Sequence, residues 1–312
     1  MNVHRTRTGN IRTKPYHEWW RDRIKTLSGF QNEARTLHQT THEAYRVGPW
    51  AILKLALVAY YIDVYTSIIK KIFSKSYYVD VFAGPGLNEI NETGDVILGS
   101  PLLADRVPSQ SKKFDKLLLV EKDPARRNAL GRLLPAAFII PEDINAAGIN
   151  SILAHLTESN TPSLVFVDPE GLAIHWSTLE KIFSCWRDVM INYQPTSVRR
   201  IVGSAKNNTA YEQSLDDFFG SDSWKACHND DELLSLYVEN LKQHREVVIP
   251  IKVQSPEAFH YYIIIAVRKT AGGQGWIEAI HRAKANIEEA NSDDAKRFLD
   301  VYTGRQATMN GL

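Results

Sequence analysis

The run Asp80-Val81-Phe82-Ala83-Gly84-Pro85-Gly86 holds the most chemically suggestive spacing in the chain. An acid stands four residues before the first of two glycines, at the end of a short apolar run. Glycine lets a backbone turn sharply and lets a ligand approach without meeting a Cβ. A dinucleotide-binding turn wants a third glycine at position 89. This chain has Glu89 there, which disfavours a nicotinamide cofactor. The acid-led version suits S-adenosylmethionine, which lacks a pyrophosphate and carries a cationic amino-acid end. Asp80 is expected to serve that cation directly or through water. Phe82, Ala83, Gly84, Pro85 and Gly86 would form the cradle.

Three further acids end apolar runs. Glu121 follows Leu117 to Val120, where a carboxylate can accept both ribose hydroxyls. Asp143 follows the next run, and it can accept from an adenine amine while Ile144 packs on the ring. Asp168-Pro169-Glu170-Gly171 follows the fourth run. Amino-group methyltransferases carry an Asp/Asn-Pro-Pro-aromatic motif at this place, whose acid and backbone carbonyl hold the target amine. Here Asp168 and Pro169 remain, the catalytic candidates, but the second proline and the aromatic are gone. Trp176 or Tyr193 could supply the missing aromatic, and Glu170 is a further substrate-side candidate. Arg199 and Arg200 could contact phosphates. So could the tail that carries Arg5, Arg7, Arg12 and Lys14 without an acid.

The elements that must position these residues read as α/β. Tyr77–Phe82, Leu117–Val120, Ala137–Ile140, Leu164–Val167 and Val189–Ile191 are short, continuously apolar and bounded by polar residues. Strands buried on both faces of a parallel sheet read this way. Val247–Ile251 and Tyr261–Val267 are separated by about nine residues. That is too few for a parallel crossover, so this pair should be antiparallel. The expectation is a Rossmann-like class I methyltransferase fold: a mostly parallel seven-stranded sheet with an antiparallel last strand. A helical leader should precede it, broken near Gly29 and Gly48. Leu87 to Leu98 reads as an insertion, followed by a helix with Ser100 as its cap and Pro101 at its first position. The divisions expected are a basic tail and leader over 1–45, the methyltransferase-like domain over 46–290, and a C-terminal tail over 291–312. Residues 197–245 read as a helical insertion that serves as a lid.

Composition narrows the class. The 312 residues carry 37 Lys and Arg against 36 Asp and Glu, so the chain is no polycation, although a local basic patch fits within a neutral total. Two cysteines, Cys185 and Cys227, make neither a disulfide framework nor a four-cysteine zinc site. Together with a polar N-terminus this points to a cytoplasmic protein, and no residues are assigned to a metal. Trp50 to Ile69 is the longest apolar stretch, but Lys54 and Asp63 interrupt it and its spacing is helical. It reads as a buried helix rather than a membrane span.

Tyr78–Gly86, Gly99–Ala104 and Phe166–Leu172, with Trp50, Lys54 and Tyr61 before them, resemble the three-Cys-motif partner proteins (TcmP). The likeness spans about Gly48 to Tyr193, with echoes at Gly275-Trp276. The family is bacterial and methyltransferase-like, and its reaction is not settled. The resemblance implies the class I fold, S-adenosylmethionine as cofactor, and a neighbouring protein with three cysteines as a candidate partner. The function expected is a methyltransferase acting on nucleic acid or a nucleobase-like amine. The alternative is a cofactor-binding, weakly catalytic subunit of a two-protein system.

Overall fold

Trp19, Trp20, Ile24 and Leu27 recur at helical spacing and give the first helix one buried stripe. The structure, a computed structural model, describes residues 15–156, 161–184, 187–206, 208–254, 260–270 and 273–306. The leader forms α1 (Tyr16–Ser28), α2 (Gln31–Thr41), a short strand β1 (Tyr45–Val47) and α3 (Ala51–Ile69). There follow β2 (Tyr77–Asp80), β3 (Leu87–Ile90), β4 (Val96–Leu98), α4 (Ser100–Arg106), β5 (Lys116–Val120), α5 (Pro124–Leu133) and β6 (Phe138–Ile140). Next come α6 (Ile149–His155), β7 (Ser163–Val167), α7 (Trp176–Phe183) and β8 (Arg187–Tyr193). The chain continues as α8 (Pro195–Ala205), α9 (Thr209–Phe219), α10 (Asp230–Lys242), β9 (Val247–Gln254), β10 (His260–Val267), α11 (Gln274–Glu289) and α12 (Ser292–Thr303).

Seven strands make the main sheet in the order β6-β5-β2-β7-β8-β10-β9. The first five are parallel, and Val79 sits between Leu118 on one side and Val165 on the other. β10 runs antiparallel to both neighbours, β8 and β9. The strand order reverses between β2 and β7, so their carboxyl ends open a crevice. Each sheet face has its own apolar core. α1, α3, α4, α11 and α12 cover one face through residues such as Trp20, Ile52, Leu103, Ile280 and Phe298. Ile152, Leu179, Leu215, Phe218 and Tyr237 cover the other.

Helix α3 is long and apolar enough by composition to cross a membrane. Its apolar surface is spent inside the protein, where it packs on α1, α4, α11 and α12. This is how a helix that is hydrophobic all round behaves in a core.

Three details fill in or correct the sequence reading. The stretch read as an insertion, Leu87 to Leu98, is the β3–β4 hairpin, and β1 of the leader pairs with it in parallel. The leader is thereby stitched to the segment after the glycine turn. Residues 291–303, read as tail, form a packed helix: Asn291 caps α12 with a full capping box, and Ala295, Phe298, Leu299 and Tyr302 are buried. Their spacing of three and four is the helix signature. The segment read as a lid mostly covers a sheet face. Leu215, Phe218, Phe219, Leu233, Tyr237 and Leu241 give it an apolar side that requires burial, and among its described residues only those of α8 reach the crevice.

Candidate functional site

The crevice is a cleft of about 1070 Å³. Its floor is the β2–β3 connection. Gly84 and Gly86 adopt positive φ values of 62° and 88°, a region that costs a side-chain-bearing residue about 1–2 kcal/mol. A Cβ on Gly84 would meet nothing within 4 Å, so the backbone there faces open space. Phe82, Ala83 and Pro85 line the cleft with them. Gly99 closes the turn from behind, and a Cβ on it would lie 2.8 Å from the Gly86 carbonyl oxygen.

Asp80 does not open onto the cleft. It is fully buried and accepts from the Ser100 hydroxyl at 2.7 Å, the Tyr78 hydroxyl at 3.2 Å and the Phe82 N–H at 3.2 Å. Direct or water-bridged contact with a cofactor cation is therefore corrected to a role in holding the turn. The Ser100 cap is corrected with it. Gly99 is the N-cap, Ser100 lies inside α4, and its hydroxyl goes to Asp80. A buried acid with few donors draws the nearest hydroxyl away from capping. Burial pushes the Asp80 carboxyl up to about 7, against the donors from Ser100 and Phe82 and with the help of the Asp168 charge.

Glu121 ends β5 and lines the cleft. One of its oxygens accepts the Asp123 N–H at 2.8 Å, and the other has no partner among the described residues. Asp143 and Ile144 line the cleft beyond it. Asp143 also accepts the Asn145 N–H at 2.9 Å and pairs with Lys122 at 3.1 Å. Partial burial raises its carboxyl, but these two donors outweigh that and hold it below the usual range.

On the other side of the switch, Asp168 is enclosed by donors. Lys54 Nζ lies 2.6 Å from Oδ2, and Asn192 Nδ2 lies 2.6 Å from Oδ1. Gln194 donates to the Pro169 carbonyl oxygen at 3.3 Å. The two acceptors assigned to an amine thus already have donors from the protein. Glu170 sits on the rim, where it accepts from the Tyr45 hydroxyl at 2.6 Å and faces Arg126 at 3.5 Å. Burial, followed by the bond to Glu170, raises the Tyr45 hydroxyl to about 12.

Several predicted residues lie elsewhere. Tyr193 is buried against Phe218 and Tyr237 on the far sheet face, because successive strand residues point to opposite faces and Asn192 takes the cleft side. Trp176 packs on Tyr237 and under Gly220, away from the cleft. Neither supplies the missing aromatic. Arg200 lines the cleft, whereas Arg199 turns to Asp230 at 3.2 Å. Arg5, Arg7, Arg12 and Lys14 lie outside the described residues. Metal catalysis is not expected from the histidines, yet His38 and His42 do form one His-x-x-x-His spacing of metal-ligand type. His42 terminates α2 in a left-handed conformation, and no group of three or more potential metal ligands forms among the described residues.

Lys54 and Asn192 are the site residues that residue chemistry alone did not find. The signal was there for Lys54. A cation inside the most apolar helix of a chain is costly without a partner, and so points to one.

No family model and no curated protein sequence matches the chain. Similar solved structures include a Legionella pneumophila protein of family-model DUF519, at 13% identity over 74% of this chain and 92% of that one, with a TM-score of 0.43. A second is a plantazolicin methyltransferase in complex with a monoazolic desmethylPZN analogue and SAH, at 12% over 81% and 98%, with a TM-score of 0.39. A third is human methyltransferase-like protein 13 in complex with SAH, at 13% over 76% and 92%, with a TM-score of 0.41. The chain's own strand order, five parallel strands closed by an antiparallel hairpin, defines the Rossmann-like α/β architecture of class I methyltransferases.

Proposed function

We propose that the cleft binds S-adenosylmethionine and that the protein is a methyltransferase acting on nucleic acid. The observation that carries this reading is the order of groups along the sheet's carboxyl edge: Asp143 after β6, Glu121 after β5, the open glycine turn after β2, and Asp168 after β7. Neighbouring strands lie about 4.8 Å apart, so this row spans roughly 15 Å, about the length of an adenosyl group joined to an amino acid. The adenine would lie by Asp143 and Ile144, the ribose hydroxyls on Glu121, and the amino-acid end over Gly84 and Gly86. Asp168 and Lys54 would then flank the methyl group. The chain's part in catalysis is to hold the acceptor in line with the carbon–sulfur bond. The resemblance to the three-Cys-motif partner proteins agrees with this reading. The nucleic-acid substrate is supported by Arg200 in the cleft and by the basic tail.

Transfer of labelled methyl to total nucleic acid tests it, with Asp168→Asn expected to lower the rate about 100-fold or more. The internal donors on Asp168 and Pro169 favour a second reading, a cofactor-binding subunit that acts only with a partner. Transfer that depends on adding the neighbouring three-Cys-motif protein selects this second reading.

A further inference from the structure

Lys54 is the cation that the reading above leaves without a task. Its side chain and that of Asp168 are each about four-fifths buried, and both line the cleft. A carboxylate only accepts, so Asn192 must turn its nitrogen toward Asp168, at 2.6 Å. Lys54 has three donors, and Asp168 takes one of them. The acceptor end of the cleft is therefore charge-compensated, and it presents an ammonium with donors to spare.

That arrangement selects among nucleophiles. An amine that attacks a methyl group gains positive charge on nitrogen, which a neighbouring ammonium opposes. A hydroxyl oxygen gains negative character as its proton leaves, which the ammonium stabilises. We infer that Lys54 and Asp168 make this an oxygen-methylating site, whose acceptor within nucleic acid is the ribose 2′-hydroxyl of RNA. The inference rests on the methyltransferase reading above. In the step, a lone pair of the hydroxyl oxygen forms the O–C bond as the C–S bond breaks. The C–S electron pair stays on sulfur, so the sulfonium becomes a thioether. The hydroxyl proton passes to a free lone pair of Asp168 and then to water. Lys54 donates to the oxygen while it also holds Asp168 in place at 2.6 Å. DNA lacks this hydroxyl, so it should not be a substrate.

The test combines labelled transfer to RNA and to DNA with calorimetry of SAH binding, on wild type, Lys54→Met and Lys54→Arg. The expected result is labelled RNA, unlabelled DNA, and label recovered in alkali-resistant dinucleotides, because a methylated 2′-oxygen blocks alkaline cleavage at its own linkage. Lys54→Met should lower transfer about 100-fold or more, with SAH affinity near wild type and partial rescue by Lys54→Arg. Lys54→Met should also raise the preference for S-adenosylmethionine over SAH about tenfold, since an uncompensated Asp168 attracts the sulfonium. Label on a base amine, equal labelling of DNA, no labelling of RNA by a protein that binds SAH, or undiminished transfer by Lys54→Met each overturns the inference. Absence of SAH binding to wild type is the separate failure of the underlying reading.

Discussion

Asp80 shows how an acid beside a glycine turn can act on the turn itself rather than on the cleft. Its three accepted hydrogen bonds tie β2, the following turn and α4 together. Its carboxyl is raised from the ordinary 3.8 to about 7, chiefly by burial. The folded protein therefore keeps a proton that the unfolded chain releases between about pH 4 and 7. Stability contributed by this group must fall as pH rises through that window and level off above it. A shift of this size corresponds to at most about 4 kcal/mol. Asp188 is raised to about 7 as well, again chiefly by burial, so the wild-type curve alone does not isolate Asp80. Denaturant unfolding of wild type and Asp80→Asn from pH 4.5 to 8 does. The stability difference in favour of wild type should shrink as pH rises to 7. Parallel curves would mean that Asp80 stays ionised throughout.

At the scale of elements, the leader and the C-terminal helix form one unit with α3. Trp20 stacks on Phe298 at 4.3 Å, its Nε1 donates to the Asn286 carbonyl at 3.2 Å, and the Tyr16 hydroxyl donates to Asp294 at 3.0 Å. α3 then delivers Lys54 to the cleft, while β1 pairs with β3 at the cleft wall. Phe298→Ala leaves a cavity under Trp20 and should cost about 3–5 kcal/mol, read as a lowered denaturation midpoint. A loss under 1 kcal/mol would mean that α12 is dispensable. The parallel strands were legible because burial on both faces leaves a continuous apolar run. α12 was legible too, in the three-and-four spacing from Ala295 to Tyr302, but its polar N-terminal half hid it. The β3–β4 hairpin was not, since Asn88, Glu89 and Asp95 break any alternation. Its strands are held by pairing with β1, a long-range contact that local pattern does not carry.

At the scale of the molecule, the site is assembled from both sides of a strand-order reversal, and this decides what a sequence reveals. The glycine turn, Glu121, Asp143 and Asp168 each stand at a strand end, so reading strands locates them. Lys54 comes from a helix more than a hundred residues before Asp168 and meets it only through the fold. Tyr193 and Trp176 were misplaced for the same reason: residue type was visible, but the sheet face was not. Whole-molecule charge gives a further expectation. If Arg200 and the basic tail neutralise phosphates, the slope of log affinity against log salt should flatten by about 0.7 to 0.9 for each contact removed. Fluorescence titration of RNA with wild type, Arg200→Ala and a chain lacking residues 1–14 measures it. Equal slopes for all three would remove these groups from the interface.

A cofactor lying across the glycine turn is the central claim, and calorimetric titration of SAH into wild type and Gly84→Val tests it most directly. A Cβ at Gly84 enters open space and touches no protein atom, so the main cost to folding is the strain of a β-branched residue at positive φ, about 1–2 kcal/mol or more. The predicted result is saturable one-site binding to wild type and at least a hundredfold weaker binding to a folded Gly84→Val. Equal affinity in the two proteins, or no binding to wild type, would contradict it.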